Sequence, residues 1–127
     1  MRKFLLSLLL TLITITSFSQ LTLFGNAYLL FTAYNDGTEL IWNKYPIKCD
    51  ILVQIQDQKL TIYSNETQVY RIITLNYREE DMSQYLAVND NGIKCYVYLG
   101  RYGESGDIGV TIEFSDLAWL YVISPED

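Results

Sequence analysis

The feature that most constrains this chain is a pair of alternating runs on either side of a short polar break. In Cys49-Asp50-Ile51-Leu52-Val53-Gln54-Ile55-Gln56, the apolar residues Ile51, Val53 and Ile55 alternate with Leu52, Gln54 and Gln56. A period of two sends successive side chains to opposite faces of a pleated strand, so this run reads as a half-buried strand. After Asp57-Gln58-Lys59 the alternation resumes in Leu60-Thr61-Ile62-Tyr63. Two such runs across so short a break predict a β-hairpin.

The same grammar continues along the chain. Residues 28–34 are rich in strand formers, Asn35-Asp36-Gly37 turns, and residues 38–43 return. Pro46 has no N–H for a ladder, which makes Lys44-Tyr45-Pro46 a corner into the central hairpin. Ser64-Asn65-Glu66-Thr67 reads as a polar turn rather than as the N-glycosylation triplet it also matches. Residues 68–76 form a strand with mixed faces, residues 77–82 are the most polar segment and are expected to be a loop, and residues 83–89 form a shorter strand. Asp90-Asn91-Gly92 is a hairpin signal; it lacks the register and closing glutamate of a calcium loop, since position 101 is Arg101.

The cleanest alternation follows, with Ile93, Cys95, Val97 and Leu99 predicted inside and Lys94, Tyr96 and Tyr98 outside, on a strand reaching Tyr102. After a glycine-containing connection, Ile108, Val110, Ile112 and Phe114 alternate with Gly109, Thr111 and Glu113. Residues 117–123 are apolar on both faces, which predicts a strand covered on both sides. About eight strands with short connections predict a single all-β domain, an antiparallel meander closed as a barrel or folded as a sandwich. The barrel is preferred, because an open sheet would leave one apolar face wet.

The first residues follow a different pattern. Arg2-Lys3 precede an apolar run from Phe4 to Ile13, and small or polar residues follow to Ser19. These are the three regions of a secretory signal peptide, and the apolar run is too short to span a hydrocarbon core of about 30 Å. The expected division is residues 1–19 as a cleaved signal-peptide helix and residues 20–127 as one domain, periplasmic or secreted, with no membrane span after cleavage. Without Arg2 and Lys3, seven of the nine basic residues remain against fifteen acidic ones, a net charge of −8. Such a surface repels phosphate backbones, which argues against a nucleic-acid partner.

The chain has no histidine, which excludes Ser-His-Asp and Cys-His catalysis and removes the commonest zinc ligand. Glu79-Glu80-Asp81 is an acidic cluster in the most polar segment, where a carboxyl keeps no apolar pocket to raise its pKa. A non-enzymatic domain with no metal and no cofactor is the expectation, with an enzyme of unknown class as a minor alternative. Cys49 and Cys95 are the only cysteines, and both fall on inward faces. In an oxidising compartment they are disulfide candidates; buried as free thiols they would act as small hydrophobes. Both readings stay open at this point. Tyr96, Tyr98 and Tyr102 line up with Lys94 on an outward face, which makes these four the binding candidates, because tyrosine offers a large contact area at small entropic loss.

The leader ending Ser17-Phe18-Ser19-Gln20, the runs Asp50-Ile51-Leu52-Val53 and Leu60-Thr61-Ile62-Tyr63-Ser64, then Thr67-Gln68-Val69-Tyr70 and Asn91-Gly92-Ile93-Lys94-Cys95, resemble short exported all-β proteins of the Bacteroidota. The resemblance implies export and carries no catalytic signature or residue role. The expected function is a binding or structural module of the cell envelope that recognises a protein or glycan, with a small barrel enclosing an apolar small molecule as the alternative. Expressed with its leader in a bacterial host, the exported protein should begin near Gln20 by mass spectrometry. Recovery of an intact Met1 in that fraction would remove the leader assignment.

Overall fold

The computed structural model describes residues 22–125, so the expected signal peptide lies outside the described residues. Nine antiparallel strands follow in order: β1 (Leu23–Asn35), β2 (Leu40–Trp42), β3 (Ile47–Gln56), β4 (Lys59–Tyr63), β5 (Thr67–Arg78), β6 (Met82–Asn89), β7 (Lys94–Tyr102), β8 (Asp107–Glu113) and β9 (Leu117–Pro125). No helix occurs among the described residues. The hydrogen-bonded order is β1-β3-β4-β5-β6-β7-β8-β9, and β9 pairs back onto β1, so eight strands close into a barrel. β2 is the extra strand. It pairs with Ala33, Tyr34 and Asn35 of β1, whose other edge is taken by β9, so β2 lies on the same edge as β3 and continues its line across the Pro46 corner.

The alternation of the sequence becomes the barrel wall. Val53 and Ile55 of β3, Leu60 and Ile62 of β4, Ile72 of β5, Tyr85 and Ala87 of β6, Val97 of β7 and Val110 and Ile112 of β8 fill the interior, and all are buried. Each aliphatic side chain so enclosed contributes about 1.5–3 kcal/mol of transfer free energy. The interior is therefore packed with side chains, and among the described residues no buried one is charged. On β9 both faces are buried as expected: Tyr121 and Ile123 face the core, and Ala118 and Val122 are covered from outside. Part of that outer cover is Leu120, whose Cδ1 would lie 3.1 Å from a Cβ at Gly109, so a side chain on the adjacent strand would make Leu120 shift.

Two expectations need correction. Ile93 lies in the turn before β7 and is 53% exposed; Asn89 holds it there, its Oδ1 accepting from the Ile93 and Asn91 N–H groups at 2.9 Å. The predicted loop over residues 77–82 shrinks to three residues, because Tyr77 and Arg78 still pair with Gln84 and Ser83. The mixed faces of β5 arise from register shifts between Ile72 and Thr74 and between Leu75 and Tyr77. Each extra residue switches the side-chain alternation, so no single period fits the whole strand.

Asp57 and Gln58 form the two-residue turn between β3 and β4, with φ of 56° and 63°. That is the geometry of a type I′ hairpin turn, and both positions occupy the left-handed region that L-residues enter at a cost of about 1–2 kcal/mol each. The change Gln58→Gly should stabilise the domain by about 1 kcal/mol, read as a higher urea midpoint at unchanged slope. An unchanged or lower midpoint would show that the turn carries no strain to relieve.

Candidate functional site

A concavity of about 600 Å³ lies on the outer wall where β6, β7 and β8 meet the β1–β2 hairpin. The strand register places Leu86, Tyr96 and Glu113 side by side across β6, β7 and β8, all pointing outward. The opposite wall is the hairpin, which contributes Asn35, Glu39 and Leu40. It is held in place by its own side chains: Asn35 Nδ2 donates to the Ser115 carbonyl at 3.1 Å, and the Asn35 N–H to the Asp116 carbonyl at 2.9 Å. Asp36 Oδ1 accepts from the Thr38 and Glu39 N–H groups, and these bonds, the Thr38 one first, hold the Asp36 carboxyl below its usual range.

Of the four binding candidates, two line this groove. Lys94 and Tyr96 are both part of it, and Tyr96 is 42% exposed. Tyr98 sits one row away with its hydroxyl committed, donating to Glu113 Oε1 and accepting from Gln84 Nε2, each at 2.9 Å. Burial raises the Tyr98 hydroxyl pKa, so it stays a neutral donor that orients Glu113. Tyr102 packs on Phe31 with ring centroids 6.2 Å apart and lies outside the groove. The residues that the sequence reading missed are Glu39, Leu40, Leu86, Glu113 and Phe114. Glu113 was visible as the polar position of an alternating strand, but its place beside Tyr96 depends on the register between β7 and β8.

The groove combines an apolar floor with a few polar groups. Among the described residues neither the Glu39 carboxylate nor the Lys94 ammonium has a hydrogen-bond or ion-pair partner. Elsewhere Asp81 of the acidic cluster pairs with Arg101 at 3.2 Å with both side chains exposed, an arrangement worth little in stability. No group of three or more cysteines and carboxylates placed to share a metal ion occurs among the described residues.

The disulfide reading of Cys49 and Cys95 is corrected: both thiols are free. They sit on β3 and β7, which three strands separate in either direction around the eight-strand barrel. Strands about 4.8 Å apart give such a barrel a diameter of at least about 12 Å, well beyond the ~7 Å Cα limit for a bridge. Tyrosines occupy the space between: Cys49 lies near Tyr121 and Cys95 near Tyr70. Parity had placed both sulfurs inward but could not tell neighbouring strands from opposed ones. The Cys49 thiol donates to the Ala27 carbonyl at 3.4 Å.

Comparison with family models, with curated proteins and with solved structures finds no match for this chain.

Burial pushes the Cys95 thiol from 9.0 up to about 11. The fold thus favours the protonated thiol; its contribution is complete below pH 9 and is lost as pH rises from 9 through 11, where the unfolded chain has already released the proton. Stability in urea should fall across that window, and fall less in Cys95→Ala after allowance for its lower starting value. Equal slopes in the two proteins would place the titration elsewhere.

Proposed function

We propose that this chain is an exported, non-enzymatic binding module of the cell envelope, periplasmic or secreted, and that the outer-wall groove recognises a glycan. One observation carries the reading: an exposed tyrosine ring, two carboxylates and an ammonium converge on one apolar concavity, with the Glu39 and Lys94 groups unengaged. Ligand sites are typically apolar pockets with a few convergent polar groups, and this groove has that make-up. A sugar ring fits this chemistry. Its C–H face packs on the tyrosine ring, its hydroxyls donate to Glu39 and Glu113, and its ring or hydroxyl oxygens accept from Lys94.

The absence of histidine and the solvated state of the acidic cluster support binding over catalysis, and the net charge of −8 after leader removal supports a neutral glycan over an acidic one. A protein partner is less favoured, because a stable interface needs about 800 Å² on each side and this site is compact.

Isothermal titration of the mature domain with neutral envelope oligosaccharides should detect saturable binding. Tyr96→Ala and Glu39→Gln should each weaken it about tenfold, with melting temperatures within a few degrees of wild type, since both side chains lie on the surface. Tyr102→Phe, outside the groove, should bind as wild type does. Binding that survives both groove substitutions would rule the groove out.

A further inference from the structure

A second concavity lies at the mouth of the barrel, and it is independent of the outer groove. β4 covers β3 only from Leu52 to Gln56, so the stretch from Ile47 to Ile51 pairs with β1 alone, while β1 and β9 stay paired as far as Tyr34 and Leu117. The β1–β3–β9 wall therefore overhangs the hairpin formed by β4 and β5. Inward positions of the core continue onto the overhang: Leu30 stands opposite Tyr121, Thr32 opposite Trp119, and Tyr34 opposite both Leu117 and Ile41. In the same rows Tyr121 pairs with Val110 and Trp119 with Ile112, both fully buried.

Above the core those rows lose their cover. Tyr34 is 59% exposed, Ile47 52% and Leu117 38%, three large apolar side chains on the inward side of one wall. A cavity of about 440 Å³ lies against this wall, with Gln68 of β5 across it, and none of its lining residues is charged. Gln68 is already committed, since its Oε1 accepts the Tyr70 hydroxyl at 2.6 Å and its amide hydrogen-bonds Tyr121. These three residues seal the floor. Two polar groups of the lining are left without a partner, the buried Trp119 Nε1 and the Thr32 hydroxyl.

We propose that the barrel mouth binds an uncharged, mainly hydrocarbon small molecule carrying few polar groups. The cavity volume lies within the range of about 300–1,000 Å³ found for ligand sites, and barrel mouths are a preferred place for them. An uncharged lining cannot compensate the desolvation of an ionised group, which excludes a charge inside the cavity. With only the Trp119 N–H and the Thr32 hydroxyl unengaged, the lining matches few polar groups on a ligand.

The test is titration of the mature domain with the neutral apolar dye N-phenyl-1-naphthylamine, followed by dye fluorescence and by energy transfer from tryptophan, with 1-dodecanol as competitor. One saturable site that dodecanol empties is expected. Leu117→Glu, at a lining position exposed enough to accept a charge, should weaken dye binding at least tenfold. Thr32→Leu, which narrows the cavity without adding charge, should weaken it as well. Tyr96→Ala should change it less than twofold, which separates this site from the glycan groove. The proposal is overturned by a wild-type titration without saturation, or by undiminished dye binding in folded Leu117→Glu and Thr32→Leu. It is equally overturned if ultracentrifugation shows a wild-type dimer that Leu117→Glu converts to monomer, since the mouth would then be covered by a second copy.

Discussion

Everything in this domain depends on the pairing of β1 with β9. It joins the first and last strands from Gly25–Pro125 to Tyr34–Leu117 and converts a meander with two open edges into a closed wall. An open edge presents unpaired N–H and C=O groups to any passing strand, and closure removes that liability. The pairing succeeds because β1 is irregular. A register shift between Ala27 and Leu29 lets one long strand follow β9 on one side and β3, then β2, on the other. Tyr28, at the shift, donates its hydroxyl to the Asp107 carboxylate at the start of β8, which raises the Tyr28 pKa through that bond and ties the bulge across β9. These contacts connect the two ends of the domain, so closing the barrel carries the largest loop entropy of its strand pairings.

Strand identity was legible wherever one face is buried and no bulge intervenes. Val53 and Ile55, or Val97 and its neighbours, announce their side of the wall because a slip of one residue would move each of them into water. Legibility failed at places governed by a partner rather than by the strand itself. Ile93 has an apolar side chain in the expected phase, yet the Asn89 carboxamide captures its N–H in a turn. The phases of β5 and β1 are broken by bulges whose cause lies in the neighbouring strands. Cys49 and Cys95 show the same limit most clearly, since inward parity is a property of each strand and the distance between strands is a property of the closed ring.

The candidate groove was half legible for the same reason. Lys94 and Tyr96 are read from one strand, whereas Glu113 and Leu86 become their neighbours through lateral register, and Glu39 and Leu40 arrive from a hairpin tied down by Asn35. Tyr98 and Tyr102 share the phase of Tyr96 but meet different neighbours, a carboxylate and amide in one case and Phe31 in the other. Phase alone therefore names residues that face outward without separating those that bind from those that pack.

The filled interior decides where recognition can occur. With Tyr85 and the aliphatic side chains of all eight barrel strands meeting in the centre, a ligand inside the barrel would have to displace packed atoms, and removing even one buried aliphatic side chain from its contacts costs several kcal/mol. Two kinds of place remain, the outer wall and the ends. On the outer wall the β1–β2 hairpin forms one side of the groove. At the mouth, the shortness of β4 leaves inward-facing apolar rows without an opposing wall. Both arise from unequal strand lengths around a closed sheet, so the lengths of β2 and β4, more than the chemistry of any single residue, set the surfaces this barrel can offer a ligand.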